Sequence, residues 1–310
     1  MTKLGDSDLD IFPLCLGGNV FGWTADREQS FAVLDAYAAA GGNFVDTADS
    51  YSAWVPGHSG GESETIIGEW MAARANRDEV IVATKAGRDR PLTADTVRAK
   101  AEASLERLRT DRIDLYYIHY DDETTPLEET LGAFDALVRE GKVRYVGASN
   151  FTAPRLAEAL AVCDREGFAR FVALQPHYSL VERDYETELR DLAGRERLAC
   201  LPYFALAKGF LTGKYRSEDD EHPSPRAQGA RQYLDERGRA VLEALDAVAG
   251  PRGTTPAAVA LAWLAAQPTV AAPIASARTP QQLADLLPMA TLDLTPNELE
   301  RLTVAGEPIA

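Results

Sequence analysis

Four side chains that could perform acid–base chemistry together lie at or just beyond predicted strand ends: Asp46, Tyr51, Lys85 and His119. Lys85 closes the apolar run that begins at Val80, and an ammonium group is costly to bury unless it is paired. Asp46, which ends the preceding predicted strand, is the natural partner. A nearby cation favours tyrosinate and lowers the pKa of a phenol, so Tyr51 is expected to be a useful proton donor near neutral pH. His119 could then orient a carbonyl oxygen beside that phenol.

A purely structural interpretation of these four residues also has to be weighed. A single Asp–Lys pair, or one histidine at a strand end, is commonly a satisfied polar group of the core. Four such residues on three successive strands and the adjoining loop favour a reactive site instead.

Eight short apolar segments alternate with amphipathic helical segments, and strands covered on both faces are typical of a parallel sheet. The predicted strands are 14–16, 43–46, 80–85, 115–119, 143–149, 173–176, 199–203 and 270–275. Capping patterns that mark helix starts pair Asp26 with Gln29, Thr125-Pro126 with Glu128, Thr279-Pro280 with Gln282, and Thr295-Pro296 with Glu298. This repetition predicts an α/β protein, a single (β/α)8 TIM barrel that occupies residues 1–310 as one domain.

Three segments exceed the minimal strand–helix repeat. Residues 1–12 are expected to form an N-terminal hairpin before the first barrel strand. Residues 52–61 form a loop rich in Gly, Ser and Pro after strand 2, and residues 204–233 form a long charged loop after strand 7. Loops of this length inside a compact domain are usually functional or disordered.

The charge balance limits the partners. Lys and Arg number 32 and Asp and Glu number 48, for a net charge of −16, which disfavours nucleic acid and anionic membranes as partners. A phosphate-bearing ligand would therefore need a local basic patch. The three cysteines include no CxxC motif, the first ten residues are polar, and no apolar run approaches a membrane span. We expect a cytoplasmic protein that acts on a small molecule, as a monomer or a homo-oligomer.

The motifs around these residues resemble those of the aldo-keto reductases, of an actinobacterial-type or channel-β-subunit-like branch. They are residues 42–51 (GNFVDTADSY), 61–68 (GESETIIG), 84–85 (TK), 114–119 (DLYYIH), 141–150 (GKVRYVGASN), 174–179 (LQPHYS) and 209–215 (GFLTGKY). The resemblance covers roughly residues 1–305 in register and places the family's catalytic tetrad on Asp46, Tyr51, Lys85 and His119. It implies that Tyr51 is the general acid in reduction and the base in oxidation, tuned by Lys85 and Asp46. Hydride would pass directly from a nicotinamide to the substrate carbon, without a metal.

The resemblance also implies a nicotinamide site in the barrel mouth, which needs no G-x-G-x-x-G fingerprint, and the chain has none. Asp46 would belong to both the tetrad and this site. Residues expected to hold the carboxamide, stack on the ring or lie near its ribose are Ser149, Asn150, Gln175, Tyr203, Gly18 and Asn19. Residues expected to surround the pyrophosphate are Leu206, Lys208, Gly209, Leu211, Gly213 and Lys214.

The segment from Ser276 to Gln282 resembles the family's loop for the adenosine phosphate. Arg278, just before a helix start, could bind a 2′-phosphate, which favours NADPH over NADH. Gln282 has two open interpretations, an adenine contact or the capping partner of Thr279. Two positions depart from the family pattern, since Ser276 replaces a frequent Gly and Leu286 replaces a frequent Asn that would contact adenine.

The expected substrate pocket is aromatic, which favours an apolar or ring-bearing carbonyl compound. Its residues are Trp23, Tyr51, Trp54, His119 and Tyr120, although Trp54 could equally be a surface residue.

Other classes of protein fit the sequence less well. A short-chain dehydrogenase would need Tyr-x-x-x-Lys, which no tyrosine here provides. A metallohydrolase would need clustered ligands, whereas the four histidines, His58, His119, His177 and His222, are dispersed. The remaining alternative is a nicotinamide-binding sensor or regulatory subunit with little turnover, as in the potassium-channel β subunits. The complete tetrad favours an enzyme.

Overall fold

The computed structural model describes residues 1–88, 91–217 and 224–307, and ten β-strands lie in these ranges. The strands are β1 (Thr2–Lys3), β2 (Asp10–Ile11), β3 (Cys15–Gly17), β4 (Phe44–Asp46), β5 (Ile81–Ala86), β6 (Ile113–Ile118), β7 (Val143–Ser149), β8 (Phe171–Gln175), β9 (Ala199–Cys200) and β10 (Ile274–Ala275). His222 and part of the predicted long loop at 204–233 lie outside the described residues.

Strands β3 to β10 are parallel and form one sheet in the order β10-β3-β4-β5-β6-β7-β8-β9. The two ends of this sheet meet, because Val270, upstream of β10, bridges Cys200 of β9 and the Ala271 amide donates to the Cys200 carbonyl at 2.9 Å. Ile274 pairs on its other side with Cys15. The predicted TIM barrel is thus confirmed, with the last predicted strand regular only at its end.

The helices lie between the strands and after the last of them. They are α1 (Arg27–Ala39), α2 (Glu62–Arg74), α3 (Ala94–Leu108), α4 (Leu127–Arg139), α5 (Ala153–Glu166), α6 (Glu188–Arg195), α7 (Ala227–Arg231), α8 (Glu236–Arg252), α9 (Pro256–Ala265), α10 (Pro280–Ala284) and α11 (Pro296–Ala305). Short 3₁₀ helices occur at Arg77–Glu79, Asp184–Glu186, Ala207–Thr212 and Leu287–Thr291.

The predicted helix starts are confirmed in three of four cases. Reciprocal capping boxes form at α1 and α11, and Thr279 caps α10. The fourth prediction is wrong: Pro126 is the N-cap of α4, while the Thr125 hydroxyl donates to Asp122 at 2.6 Å. The helix therefore begins one residue later than the predicted cap, without a side-chain cap.

The predicted N-terminal hairpin is confirmed and closes the end of the barrel where the strands begin. Strands β1 and β2 pair antiparallel, and Leu4, Leu9 and Ile11 pack, buried, against Phe44 and Leu115 of the barrel interior. The opposite end, where the strands finish, is therefore left for ligands.

Within the described ranges, no helix combines the length and the apolarity that crossing a bilayer would require. Cys15, Cys163 and Cys200 are buried free thiols.

Candidate active site

The barrel register brings Asp46 and Lys85 together. Asp46 ends β4 and pairs with Ala83 of β5, and side chains alternate along a strand, so Lys85 emerges on the same side as Ala83. Lys85 Nζ lies 2.6 Å from Asp46 Oδ2 and 3.0 Å from Tyr51 Oη. The Tyr51 hydroxyl donates to Asp46 Oδ2 at 3.1 Å. Three of the four predicted reactive residues thus form one hydrogen-bonded cluster, in which Lys85 is fully buried.

The pKa of Tyr51 corrects one expectation. It is raised well above its ordinary value of 10, chiefly by burial and by the negative charge and hydrogen bond of Asp46. Lys85 was expected to lower this pKa, but burial of the phenol and the adjacent Asp46 carboxylate act in the opposite direction and prevail. Tyr51 is consequently a protonated phenol at neutral pH, which is the form that can donate a proton.

His119 follows β6 and faces Tyr51 across the rim, with the two ring centroids 6.3 Å apart. Burial, with the positive charges of Lys85 and Arg88, lowers the pKa of its imidazole to about 2. The ring is therefore neutral at physiological pH and can donate one hydrogen bond. Its Nδ1 is buried and has no hydrogen-bond partner among the described residues.

Gln175 extends the cluster to the strands β7 and β8. Its side-chain amide donates to Asp46 Oδ1 at 2.8 Å, so both carboxylate oxygens of Asp46 are engaged. Ser149 pairs with Gln175 in register, and its hydroxyl donates to the Gln175 carbonyl at 2.9 Å. These contacts fix two of the three residues expected to face a nicotinamide carboxamide.

Asn150 links His119 to Tyr203. Its backbone is left-handed, with φ of 56°, a conformation that asparagine tolerates better than most residues. The Tyr203 hydroxyl donates to Asn150 Oδ1 at 2.8 Å, and Asn150 Nδ2 donates to the His119 carbonyl at 2.9 Å. Tyr203 also stacks on His177, with ring planes 14° apart, so His177 supports that ring.

A cavity of about 850 Å³ opens at this rim, within the usual range for small-molecule sites. The predicted residues that line it are Asn19, Trp23, Asp46, Tyr51, Trp54, His119, Tyr120, Ser149, Asn150, Gln175, Tyr203, Leu206, Lys208, Gly209, Lys214, Ser276, Arg278 and Gln282. The sequence therefore identified most of the wall. Leu286 lines it too, as an apolar surface.

Three residues predicted to contact the cofactor lie behind the wall of this cavity. Leu211 is fully buried in the hydrophobic core, and Gly213 forms a left-handed turn with φ of 78°. Gly18 is packed so closely that a Cβ atom there would lie 2.8 Å from the Ser63 hydroxyl. These residues shape the cavity without reaching its surface.

Basic residues line part of the cavity, although the net charge of the chain is −16. Lys208, Lys214 and Arg278 line it, as predicted for a phosphate-binding region. Lys208 and Gly209 have left-handed backbones, with φ of 59° and 99°, which bend the short helix at Ala207–Thr212 around the cavity.

Arg226 is a further basic residue of the wall that sequence reasoning missed. Its guanidinium lies 5.3 Å from the centre of the Trp23 ring, and burial and Arg278 lower its pKa. The available signal was a basic residue beside Pro225 in the predicted long loop after strand 7.

The side chain of Gln282 has a structural role at the start of α10, and its place in the cavity wall is also compatible with an adenine contact. Its Oε1 accepts from the Arg278 amide at 2.9 Å, one residue before the Thr279 cap that accepts from the Gln282 amide. The side chain thus orders the loop that carries Arg278, while still lining the cavity.

Aromatic rings form another part of the cavity wall. Trp54 packs edge-on against Trp23 at 5.4 Å and against Tyr51 at 6.2 Å, while Tyr120 stacks on His119 at 4.8 Å. Trp54 and Tyr120 are more than a third exposed. The interpretation of Trp54 as an isolated surface residue is therefore less apt than its place in this aromatic rim.

A nicotinamide dinucleotide fits the residues present. The cavity wall combines basic side chains suited to phosphates, the polar side chains of Gln175 and Asn150 suited to an amide, and aromatic side chains suited to a substrate. The described residues contain no group of three His, Cys, Asp or Glu side chains arranged to hold a metal ion.

Comparison with known proteins agrees with this geometry. The model of the aldo/keto reductase family matches residues 13–307. An uncharacterized oxidoreductase, YrpG, of Bacillus subtilis is 36% identical, over 97% of this chain and 94% of its own. Norsolorinic acid reductase B of Aspergillus parasiticus is 32% identical, over 97% and 82%. Protein tas of Escherichia coli is 30% identical, over 97% and 95%.

The chain belongs to the aldo/keto reductase family. It is therefore an NAD(P)H-dependent oxidoreductase of the class that acts on carbonyl compounds.

Proposed function

We propose that this protein reduces aldehydes or ketones to alcohols with NADPH, by direct hydride transfer and with Tyr51 as general acid. The observation that carries this proposal is the contact of Tyr51 Oη with both Lys85 Nζ, at 3.0 Å, and Asp46 Oδ2, at 3.1 Å, beside a neutral His119. A phenol held between a cation and a carboxylate can give up a proton and take it back.

When bound, NADPH supplies the hydride that adds to the carbonyl carbon. The Tyr51 hydroxyl, on leaving Asp46 Oδ2, and one N–H of the neutral His119 would both donate to the carbonyl oxygen, where negative charge develops. Tyr51 then transfers its proton to that oxygen, giving the alcohol, and Lys85 Nζ stabilises the tyrosinate that remains. In oxidation the same tyrosinate takes the proton from the alcohol.

NADPH, rather than NADH, is favoured by the basic side of the cavity. Arg278 stands at the start of α10, where a guanidinium fork and the helix N-terminus can share one phosphate. Lys208, Lys214 and Arg226 supply positive charge toward the remaining phosphates. Leu286 offers only apolar contact to the adenine.

The substrate is proposed to be an aromatic or apolar carbonyl compound. Trp23, Trp54 and Tyr120 present ring faces and edges around the Tyr51 hydroxyl, and such surfaces favour flat apolar partners. The norsolorinic acid reductases among its relatives are named for a compound on which we suggest testing this enzyme.

We also propose a cytoplasmic location and one domain over residues 1–310. Three buried free thiols suit a reducing compartment.

The substitution Tyr51→Phe tests the proposed acid. It should preserve NADPH binding, followed by quenching of tryptophan fluorescence, while kcat for an aromatic aldehyde falls by at least about 10²-fold. Tyr116→Phe is the matched control, because Tyr116 is buried with its hydroxyl unpaired among the described residues, outside the cavity wall. Full turnover by the Tyr51 variant would exclude the acid role, and intact NADPH binding without turnover by the wild type would favour a sensor.

A further inference from the structure

The ammonium group of Lys85 has a third partner besides Asp46 and Tyr51. Its Nζ donates to the backbone carbonyl of Thr47 at 2.7 Å. An ammonium has three N–H donors, so all three are used, and the carbonyl takes part in setting their directions. The position of Thr47 thus influences how Lys85 faces Tyr51.

Thr47 is itself held by a chain of buried hydroxyls. The Thr47 hydroxyl donates to Ser63 Oγ at 2.8 Å, and the Ser63 hydroxyl donates to the Gly18 carbonyl at 2.8 Å. The Gly18 amide in turn donates to the Asp46 carbonyl at 2.7 Å. We call Thr47, Ser63 and Gly18 the hydroxyl relay, which joins the end of β4 to the end of β3 through α2.

The hydroxyl relay is not required to cap the helix in which Ser63 lies. Ser63 lies in the first turn of α2, but the N-cap of that helix is Gly61 and no side chain caps it. The hydroxyls of Ser63 and Thr47 are fully buried, where a hydroxyl without a partner is costly. Gly18 leaves room for them, since a Cβ atom there would crowd Ser63 Oγ.

We propose that Ser63 is a positioning residue for the reaction, which through Thr47 holds the carbonyl that aims Lys85 at Tyr51. This inference rests on the proposed function, in which Tyr51 exchanges a proton with the substrate. Ser63 touches no reacting atom, because it lies behind the cavity wall.

Five ionisable groups face the phenol of Tyr51. They are Asp46, Lys85, His119, Cys15 and Arg226. Of these, Lys85 is the cation in hydrogen-bond contact with Tyr51 Oη. If Lys85 Nζ moves away from Tyr51 Oη, the tyrosinate loses its cationic partner and the pKa of Tyr51 rises further. Oxidation of an alcohol needs the tyrosinate, so its rate curve should move to higher pH.

The test is Ser63→Ala, assayed for alcohol oxidation with NADP⁺ across pH. We expect the curve to move up by about half a unit or more and kcat at fixed pH to fall about tenfold. The KM for the alcohol should change by less than about threefold, because the pocket is untouched. Ser63→Thr, which retains the hydroxyl, should restore the wild-type profile.

Ser104→Ala is the matched control. Ser104 is also fully buried on a helix, but it accepts from Arg107 at 3.3 Å and hydrogen-bonds the Glu64 carboxyl group, and it makes no direct hydrogen bond to Thr47, Ser63 or Lys85. It should leave the pH profile unchanged at comparable stability. An unshifted profile in Ser63→Ala would overturn the proposal.

Thr47→Val removes the other hydroxyl and keeps the carbonyl, so it tests the relay even if the Ser63 variant does not fold. It should shift the profile as Ser63→Ala does, and the double variant should shift it no further. Additive shifts would refute a shared relay. A Tyr51→Phe variant with the pH profile of the wild-type enzyme would instead refute the proposed function. The failure of the relay and the failure of the proposed function are therefore distinguishable.

Discussion

The ion pair of Asp46 and Lys85 should be separable into a contribution to stability and a contribution to catalysis. The variants are Asp46→Asn and Lys85→Met, made singly and together, since each keeps the approximate shape and removes the charge. Nζ and Oδ2 are 2.6 Å apart, with exposures of 0% and 1%. At an effective dielectric constant of about 20, their attraction is about 6 kcal/mol, partly offset by desolvation.

Each single variant leaves an uncompensated buried charge, which should lower the free energy of unfolding by about 3–5 kcal/mol. The double variant should lose much less than the sum of the two losses, because no charge remains buried alone. Its activity should not return, since the phenol then has no ammonium to stabilise tyrosinate. All three variants should lose at least about 10²-fold in kcat.

Urea unfolding followed by tryptophan fluorescence measures the stability, and the loss of NADPH absorbance with an aromatic aldehyde measures kcat. The control pair is Lys3 and Asp10, the same two residue types, which lie 3.0 Å apart with both side chains 58% exposed. Its equivalent variants should change neither quantity measurably. Single variants as stable as the wild type, or strictly additive losses in the double variant, would refute this reasoning.

Two further predictions follow from the same site. The pKa of His119 is about 2 in the folded protein against about 6.5 unfolded, so the unfolded chain takes up the extra proton as the pH falls below 6.5. Wild-type stability should therefore decline by about 2 kcal/mol more than that of His119→Gln between about pH 7 and pH 5, measured in urea; parallel declines would contradict the buried neutral imidazole. Arg278→Ala should raise the KM for NADPH about 10–100-fold and that for NADH far less, and equal effects on both cofactors would argue against a 2′-phosphate contact.

The strand pattern was predictable because buried parallel strands need apolar residues on both faces. All eight barrel strands were located from such runs, and Lys85 was conspicuous because a charge interrupts one of them. The hydrogen-bond partners of Lys85 were predictable only in part. Asp46 follows from strand adjacency, whereas the carbonyl of Thr47 depends on the path of the backbone after β4.

Contacts between residues that are distant in sequence, and balances among several charges, were out of reach. Arg226 reaches Trp23 across about two hundred residues, and no local pattern predicts that approach. The sign of the pKa shift at Tyr51 depends on burial and two opposing charges, of which sequence reasoning weighed only one. The cap at Thr125 was mispredicted by one residue, because Pro126 is the N-cap and the Thr125 side chain faces Asp122, to which it donates at 2.6 Å.

The barrel strands differ in length around the rim. Strands β5, β6 and β7 have six or seven residues and carry Lys85 and His119 at or beside their ends, whereas β9 and β10 have two residues each. The cofactor-side loops around Lys208 and Arg278 follow these two short strands. Two-residue strands form few backbone hydrogen bonds, which lowers the free energy of local opening. We therefore expect the barrel to open most readily at the junction of β9 and β10. A dinucleotide that binds the loops on both sides of this junction should raise resistance to heat and proteolysis, by an amount that grows with the logarithm of its concentration above its Kd.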